Sequence, residues 1–373
     1  MLTAVASACH AGSTQQYAGP NSSSVPGAPR VTTSTKVSPL APKAGFLSES
    51  VNDDGHTFTV WNWDGTRAAV VHGIPLPTRN PNDSFGSIAV APNWMGPYAA
   101  VAPDGTRFLA NIPPTGLGPP SWEVTDLTGR VLNQGTGVGG VWATDSRHVC
   151  GLSPIDPGAA ALGGPSGPAA LVITDGSGAR HTVGTNISFP DGGALGVVRC
   201  DIAHNEAVVA GGGQSFPRIV SLSNGTARIP AWANADTRLG GVSGNGRYAA
   251  VYTASSTGSA AGRVVDTATG KTVAKLTGIP DAISWNGNLV VETTGPAKYE
   301  IVDWVTGGVV WKLDPVGGLP MNDAPPVAAT RAHTDDLAIN ATNVPGMAFG
   351  TLEIVTTRSK PKQIGTTLFP GIV

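Results

Sequence analysis

From about residue 55 onward, apolar residues gather in short runs, such as Gly196–Val198, Ala207–Val209 and Val264–Val265. Each run is closed by a turn rich in Gly, Asp, Asn or Pro. Runs this short, punctuated this often, predict many short β-strands and little helix. Two hairpin patterns alternate along the chain. The first is an apolar strand, a tight turn carrying Asp or Asn, and a second apolar strand. It spans Val101–Ala110 around Asp104-Gly105 and Val141–Cys150 around Asp145. It returns over Val198–Val209, where the turn is longer, and over Val242–Val251 around Asn245-Gly246. Further copies are Ile283–Val291 around Asn286-Gly287 and a weaker Ala332–Ile339.

The second pattern is a strand, a turn ending in Gly, and a strand. It covers Thr59–Val71, Trp122–Leu132, Leu171–Gly178, Ile219–Gly225, Val264–Val273 and Ile301–Val310. Leu352–Arg358 is a seventh copy without its Gly. Asn-Gly and Asp-Gly suit tight hairpins because their central residues accept positive φ. Alternating the two hairpins gives four strands per unit, repeating every roughly 40–60 residues, which is a propeller period. The expected fold is therefore all-β, a seven-bladed β-propeller over residues 46–373. Six blades plus an extra hairpin is the competing count. The first unit lacks an obvious first hairpin, and Phe46-Leu47 is its candidate strand. The ring is expected to close by joining both ends of the domain, which removes exposed edges.

These repeats resemble bacterial TolB-like and WD40-like propellers, and Pro103–Arg107 is the nearest match to their turn. Ile301–Trp311 is also similar to quinoprotein-like and YVTN-type repeats. The resemblance spans residues 55–366 and implies architecture, since the shared residues build turns and packing.

Composition agrees with a punctuated β-fold. Gly 50 and Pro 31 are both high, and charged residues make up 13% with a net charge of -2. No stretch concentrates Lys or Arg, so no nucleic-acid partner is expected. No apolar run reaches the roughly 18 residues that span a bilayer. Residues 10–45, rich in Ser, Thr, Pro and Gly, read as a flexible linker. Residues 1–9 end in Val5-Ala6-Ser7-Ala8-Cys9, which resembles the tail of a bacterial lipoprotein signal although the charged n-region is missing. Cys9 is then the lipidation site, a lipid anchor the only membrane contact, and the location extracytoplasmic at the cell surface. Cys150 and Cys200 sit at strand positions in neighbouring units. They are either a disulfide, which suits an exported protein, or two separate buried thiols.

No metal-ligand spacing, nucleophile elbow or phosphate loop occurs, and neither cofactor nor metal is expected. In a four-stranded blade, the loops between hairpins and between blades share one face, around the channel mouth, and such loops carry function. Three hold candidate ligand groups: His72, Arg79, Asn82 and Asp83; Trp232, Asp236 and Arg238; and Asn322 and Asp323. Asp, Asn and Arg around an aromatic suit a sugar or a peptide. Of the nine Trp residues, Trp61 and Trp63 share a face, and Trp142 and Trp285 occupy nearly equivalent positions; packing between blades is their ordinary use. Two functions remain open from sequence. One is a monomeric, non-catalytic binding or protein-interaction scaffold with a protein or carbohydrate ligand. The other is a propeller enzyme with a channel-mouth active site, either a lactonase or a glycan-cleaving hydrolase.

Overall fold

The structure is a computed structural model. It describes residues 43–52, 55–74, 99–112, 121–136, 138–154, 169–175, 180–187, 195–211, 216–253, 261–295, 298–313, 329–341, 349–357 and 359–368. Every described element is a strand, and the strands form seven antiparallel sheets.

Blade one contains β1 (Ala44–Asn52), β2 (Gly55–Asn62) and β3 (Arg67–Ile74). Blade two contains β4 (Ala99–Val101), β5 (Arg107–Ile112), β6 (Ser121–Asp126) and β7 (Val131–Thr136). Blade three contains β8 (Val138–Trp142), β9 (His148–Pro154), β10 (Ala169–Asp175) and β11 (Arg180–Ile187). Blade four contains β12 (Leu195–Asp201), β13 (Glu206–Gly211), β14 (Arg218–Ser221) and β15 (Ala227–Arg228). Blade five contains β16 (Thr237–Val242), β17 (Tyr248–Thr253), β18 (Ala261–Asp266) and β19 (Thr272–Lys275). Blade six contains β20 (Ile279–Ile283), β21 (Leu289–Gly295), β22 (Lys298–Asp303) and β23 (Gly308–Leu313). Blade seven contains β24 (Ala329–Thr330), β25 (Leu337–Ala341), β26 (Phe349–Val355) and β27 (Lys362–Leu368).

The seven-bladed ring expected from the repeats is the architecture observed, and Phe46-Leu47 lies in β1. The first strands of successive blades touch one another, as in the pairs β8–β12, β12–β16 and β16–β20, so they face the channel. The turns behave as their composition requires. Gly65, Gly105, Gly129, Gly225, Gly246, Gly270, Gly287 and Gly307 all have positive φ. At Gly287 (φ 93°) an added Cβ would also come 2.6 Å from the Tyr248 ring. Short polar side chains close the same turns. Asp104 Oδ1 accepts from Thr106 N (3.0 Å) and Oγ1 (2.8 Å), and Asn224 Oδ1 does the same for Thr226 (3.0 and 2.8 Å).

Apolar clusters fill the spaces between neighbouring sheets. Leu152, Leu171, Val197, Val209 and Val220 pack between blades three and four. Leu289, Ile301, Leu337 and Ile339 pack between blades six and seven. Cys150 on β9 and Cys200 on β12 are both fully buried in the first of these clusters and are joined as a disulfide, with 6.2 Å between their Cα atoms.

On the face bearing the tight turns, hydrogen bonds run from blade to blade. Arg107 Nη2 donates to Ser146 O (2.7 Å) and Thr144 N to Cys200 O (2.9 Å). Arg199 Nε then donates to Gly244 O (3.1 Å), Asn245 N to Trp285 O (3.1 Å) and Asn286 N to Thr334 O (3.1 Å). The ring closes where blade one, at the start of the domain, meets blade seven, at its end. Among the described residues, blade one and blade seven each consist of consecutive strands, and neither borrows a strand from the other end of the domain. They meet through side chains instead. Trp63 packs with Ala338 and Ile354, with Trp61 and Ile364 beside them, and Lys362 Nζ donates to Asp64 O (2.6 Å).

Candidate functional site

The face opposite the tight turns is best defined where blades five and six meet. There the connections leading into β16 and β20 are both described. Gly240 brings these two inner strands together. A Cβ on it would lie 2.1 Å from Pro280 O, so a larger residue would push the strands apart. The register of β20 slips between Pro280, which faces Glu292, and Ala282, which faces Val291. Asp281 is thereby left out of the ladder. Similar slips occur in the inner strands β8, β12 and β16, at Gly139, Val198 and Gly240. A bulge frees one residue from strand pairing and re-aims its side chain. Of these four positions, only Asp281 bears a polar side chain.

Polar groups from three strands, β16, β17 and β21, lie at this junction. Thr293 Oγ1 on β21 donates to Asp281 Oδ2 (2.6 Å). Glu292, the preceding residue, is fully buried and accepts from Thr277 Oγ1 (2.5 Å) and Gly278 N (3.1 Å). Burial pushes the Asp281 carboxyl up to about 6; the Thr293 hydrogen bond opposes this and the Glu292 charge adds to it. Tyr252 on β17 is half-buried. Burial raises its phenol, with Arg238 opposing and Asp281 adding. Arg238, paired with Tyr252 across β16 and β17, is buried and donates from Nη1 to Ala235 O (2.8 Å) and Thr237 O (3.2 Å). The wall thus combines a guanidinium, a phenol, a hydroxyl and a carboxyl held against its preferred charge. Because the folded state raises Asp281 above its ordinary value of 3.8, its contribution to stability is greatest below about pH 4 and falls as pH rises toward 6. Groups that cost stability in this way are a mark of functional sites.

The sequence candidates divide. Arg238 belongs to this wall. Asp236 is exposed in the turn leading to it, its N–H donating to Asn234 Oδ1 (3.0 Å). Trp232 does not offer a ring to a ligand. It is 5% exposed and packs among Ala249, Val251 and Val265, because its loop folds back over blade five. His72 lies in β3, and nothing is described of its side chain. Arg79, Asn82, Asp83, Asn322, Asp323 and Cys9 lie outside the described residues. The other Trp candidates pack between blades: Trp142 Nε1 donates to Ala100 O (2.9 Å), and Trp285 meets His333 edge to face at 5.1 Å.

Sequence reasoning missed Asp281, Tyr252 and Glu292. Glu292 carried a usable signal, as a charge directly following the apolar run Leu289–Val291. The Asp281 bulge carried none.

On the turn face, Asp145 with His148 (2.6 Å) and Asp201 with His204 (2.8 Å) repeat one motif in blades three and four. Arg199 also pairs with Asp201. These groups cap turns and tie blades together. Among the described residues, no three His, Cys, Asp or Glu side chains group so as to hold a metal ion.

No family model matches the chain, and no curated protein matches it. Solved structures do resemble it. Oligogalacturonate lyase from Vibrio parahaemolyticus is 10% identical with a TM-score of 0.56, covering 84% of this chain and 87% of that one. An oligogalacturonate lyase in complex with manganese is 11% identical with a TM-score of 0.51, covering 88% and 87%. TolB from Acinetobacter baumannii is 14% identical with a TM-score of 0.43, covering 85% and 80%. The likeness to the two lyases shows a shared fold alone.

Proposed function

We propose that this propeller is an extracytoplasmic, non-catalytic binding module. Its ligand, a group on a protein or carbohydrate, docks on the wall formed by Arg238, Tyr252, Asp281 and Thr293. The observation that carries the reading is Asp281, freed by a bulge and kept half-buried where its charge costs stability. A rigid frame presenting few, well-placed polar groups is how such sites gain specificity.

The carboxylates Asp281 and Glu292 raise a second reading, a glycan-cleaving hydrolase. Hydrolysis of that kind needs two carboxyl groups that both reach the substrate. Glu292 does not qualify. It is fully buried, and both its oxygens are engaged by Thr277 and Gly278. Among the described residues of this wall, one carboxyl is available, which suits binding better than glycoside hydrolysis.

The extracytoplasmic part rests on the buried disulfide, since such bonds persist in oxidising compartments. The reading extends to a lipid on Cys9. Mass analysis of the mature N-terminal peptide from a membrane fraction tests this, and an intact, unmodified residue 1–9 segment on a soluble protein refutes it.

The binding reading is tested by calorimetry and thermal shift at about pH 7.5, against panels of oligosaccharides and short peptides. One class should bind and raise the melting temperature. Asp281→Asn should weaken that binding about tenfold or more, the worth of a hydrogen bond to a charged group. The same variant should be as stable as the wild type, or more so, because it removes a carboxyl that folding disfavours in its charged form. Release of product during binding, or full affinity in Asp281→Asn, sinks the proposal.

A further inference from the structure

Asp281 is a carboxyl without a cation of its own. Thr293 Oγ1 donates to its Oδ2 (2.6 Å), and Oδ1 accepts no hydrogen bond among the described residues. No described Lys, Arg or His forms an ion pair with it. Arg238, on the neighbouring inner strand, has Nη1 on Ala235 O and Thr237 O, and Lys298 is exposed at the start of β22. Neither is among the groups that shift the Asp281 carboxyl. The connections β17–β18, β21–β22 and β23–β24 leave blades five and six on this side. Their residues 254–260, 296–297 and 314–328 include no Lys, Arg or His. A carboxylate withdrawn from water is ordinarily paired. The open Oδ1 therefore marks the place of a cation that a ligand brings.

The surroundings limit what carries that cation. Asp281 stands at the bulge of β20, and Gly139, Val198 and Gly240 stand at the bulges of β8, β12 and β16. Val198 is 40% exposed between Val197 and Arg199, each 6% exposed, so its bulge turns an apolar side chain outward. The channel edge of blades three to six thus sets one acceptor among small and apolar residues. An amino sugar would leave its ring hydroxyls short of partners on such a surface. A lysine side chain has a single charged group on an apolar stem.

Resting on the binding reading above, we propose that this wall captures a lysine side chain of a peptide or protein, with its ammonium on Asp281 Oδ1. One ammonium N–H donates to Oδ1 while Thr293 keeps Oδ2, so both carboxylate oxygens are satisfied. The other two N–H groups stay with the solvent that reaches this half-buried position.

Calorimetry on the full chain at about pH 7.5, where a carboxyl raised to about 6 is ionised, tests the assignment. The probes are blocked alanine peptides with a central lysine, norleucine, acetyl-lysine or glutamate, and glucosamine as the carbohydrate arm. The methyl NMR signal of Thr293 reports contact at the site. The lysine peptide should bind and shift that signal, with affinity falling as salt is raised. Norleucine keeps the stem without the charge, and acetyl-lysine keeps it with the charge removed. Both should bind wild type about tenfold more weakly or worse, as should the lysine peptide with Asp281→Asn. The peptide series on wild type keeps the test independent of how the variant folds. Equal affinity for norleucine or acetyl-lysine overturns the proposal, as does tighter binding of glutamate or glucosamine. Another member of the oligosaccharide and peptide panels that binds and is lost in Asp281→Asn, while the lysine peptide stays unbound, overturns the lysine assignment and leaves the binding reading standing. No binding by any panel member or probe overturns the two together.

Discussion

Replacing both Cys150 and Cys200 by alanine lowers the stability of the ring by about 4 kcal/mol, the chain-entropy value for closing a loop of 50 residues. For a domain of this size that is a fall of about 6 °C in melting temperature. The effect is large because the bond joins two blades, not two strands of one blade. Cys150 belongs to the second strand of blade three and Cys200 to the first strand of blade four. Between them the chain passes through the outer half of blade three and back to the centre. Cutting the bond restores the freedom of that whole excursion in the unfolded state. Urea unfolding of the oxidised wild type and the double variant measures the difference. Equal midpoints would show that burial alone, and not the covalent link, holds this junction.

Asp335→Ala should cost about 3 kcal/mol, through the junction of blades six and seven. Asp335 Oδ1 accepts from Ser284 Oγ (2.6 Å) and Asn288 N (3.0 Å), and Oδ2 accepts from Asn288 Nδ2 (2.9 Å). Ser284 is fully buried and itself accepts from Leu289 N (3.0 Å) and Gly287 N (3.2 Å). One carboxylate therefore organises an entire turn of the neighbouring blade. Bonds to a charged acceptor are each worth about 1.5–3 kcal/mol, and bonds sharing one acceptor do not add fully. Asp335→Asn keeps an acceptor for Ser284 and Asn288 N, and should recover more than half of the loss. Denaturant titration of both variants checks this. An alanine variant no weaker than the asparagine one would rule out the clasp.

The architecture was legible because its instructions are local. A turn such as Asn245-Gly246 or Asp104-Gly105 announces itself within four residues, and each of these two joins a pair of adjacent strands. The wall was less legible because its members are brought together from separate strands. Arg238 was found because it lies next to a loop. Asp281 was missed because a register slip, which no spacing rule reveals, takes it out of the pairing of β20 with β21. Trp232 was misread for the opposite reason. A loop residue looks available until the loop is seen to fold over Val251 and Val265. Polar residues near a turn announce the turn, whereas a polar residue inside a strand announces its purpose only once its neighbours in space are known.

The junction of blades one and seven has a mechanical consequence. It is sealed by Trp63, Ile354 and Ile364 and by the Lys362 bond to Asp64, with no strand pairing across it among the described residues. Every other pair of neighbouring blades is also joined by the chain itself, whereas this seam has no covalent link and yields contact by contact. Pulled apart from Ala44 and Leu368, the ring should open here first, as a bracelet does at its fastening, leaving the other blades stacked as an arc.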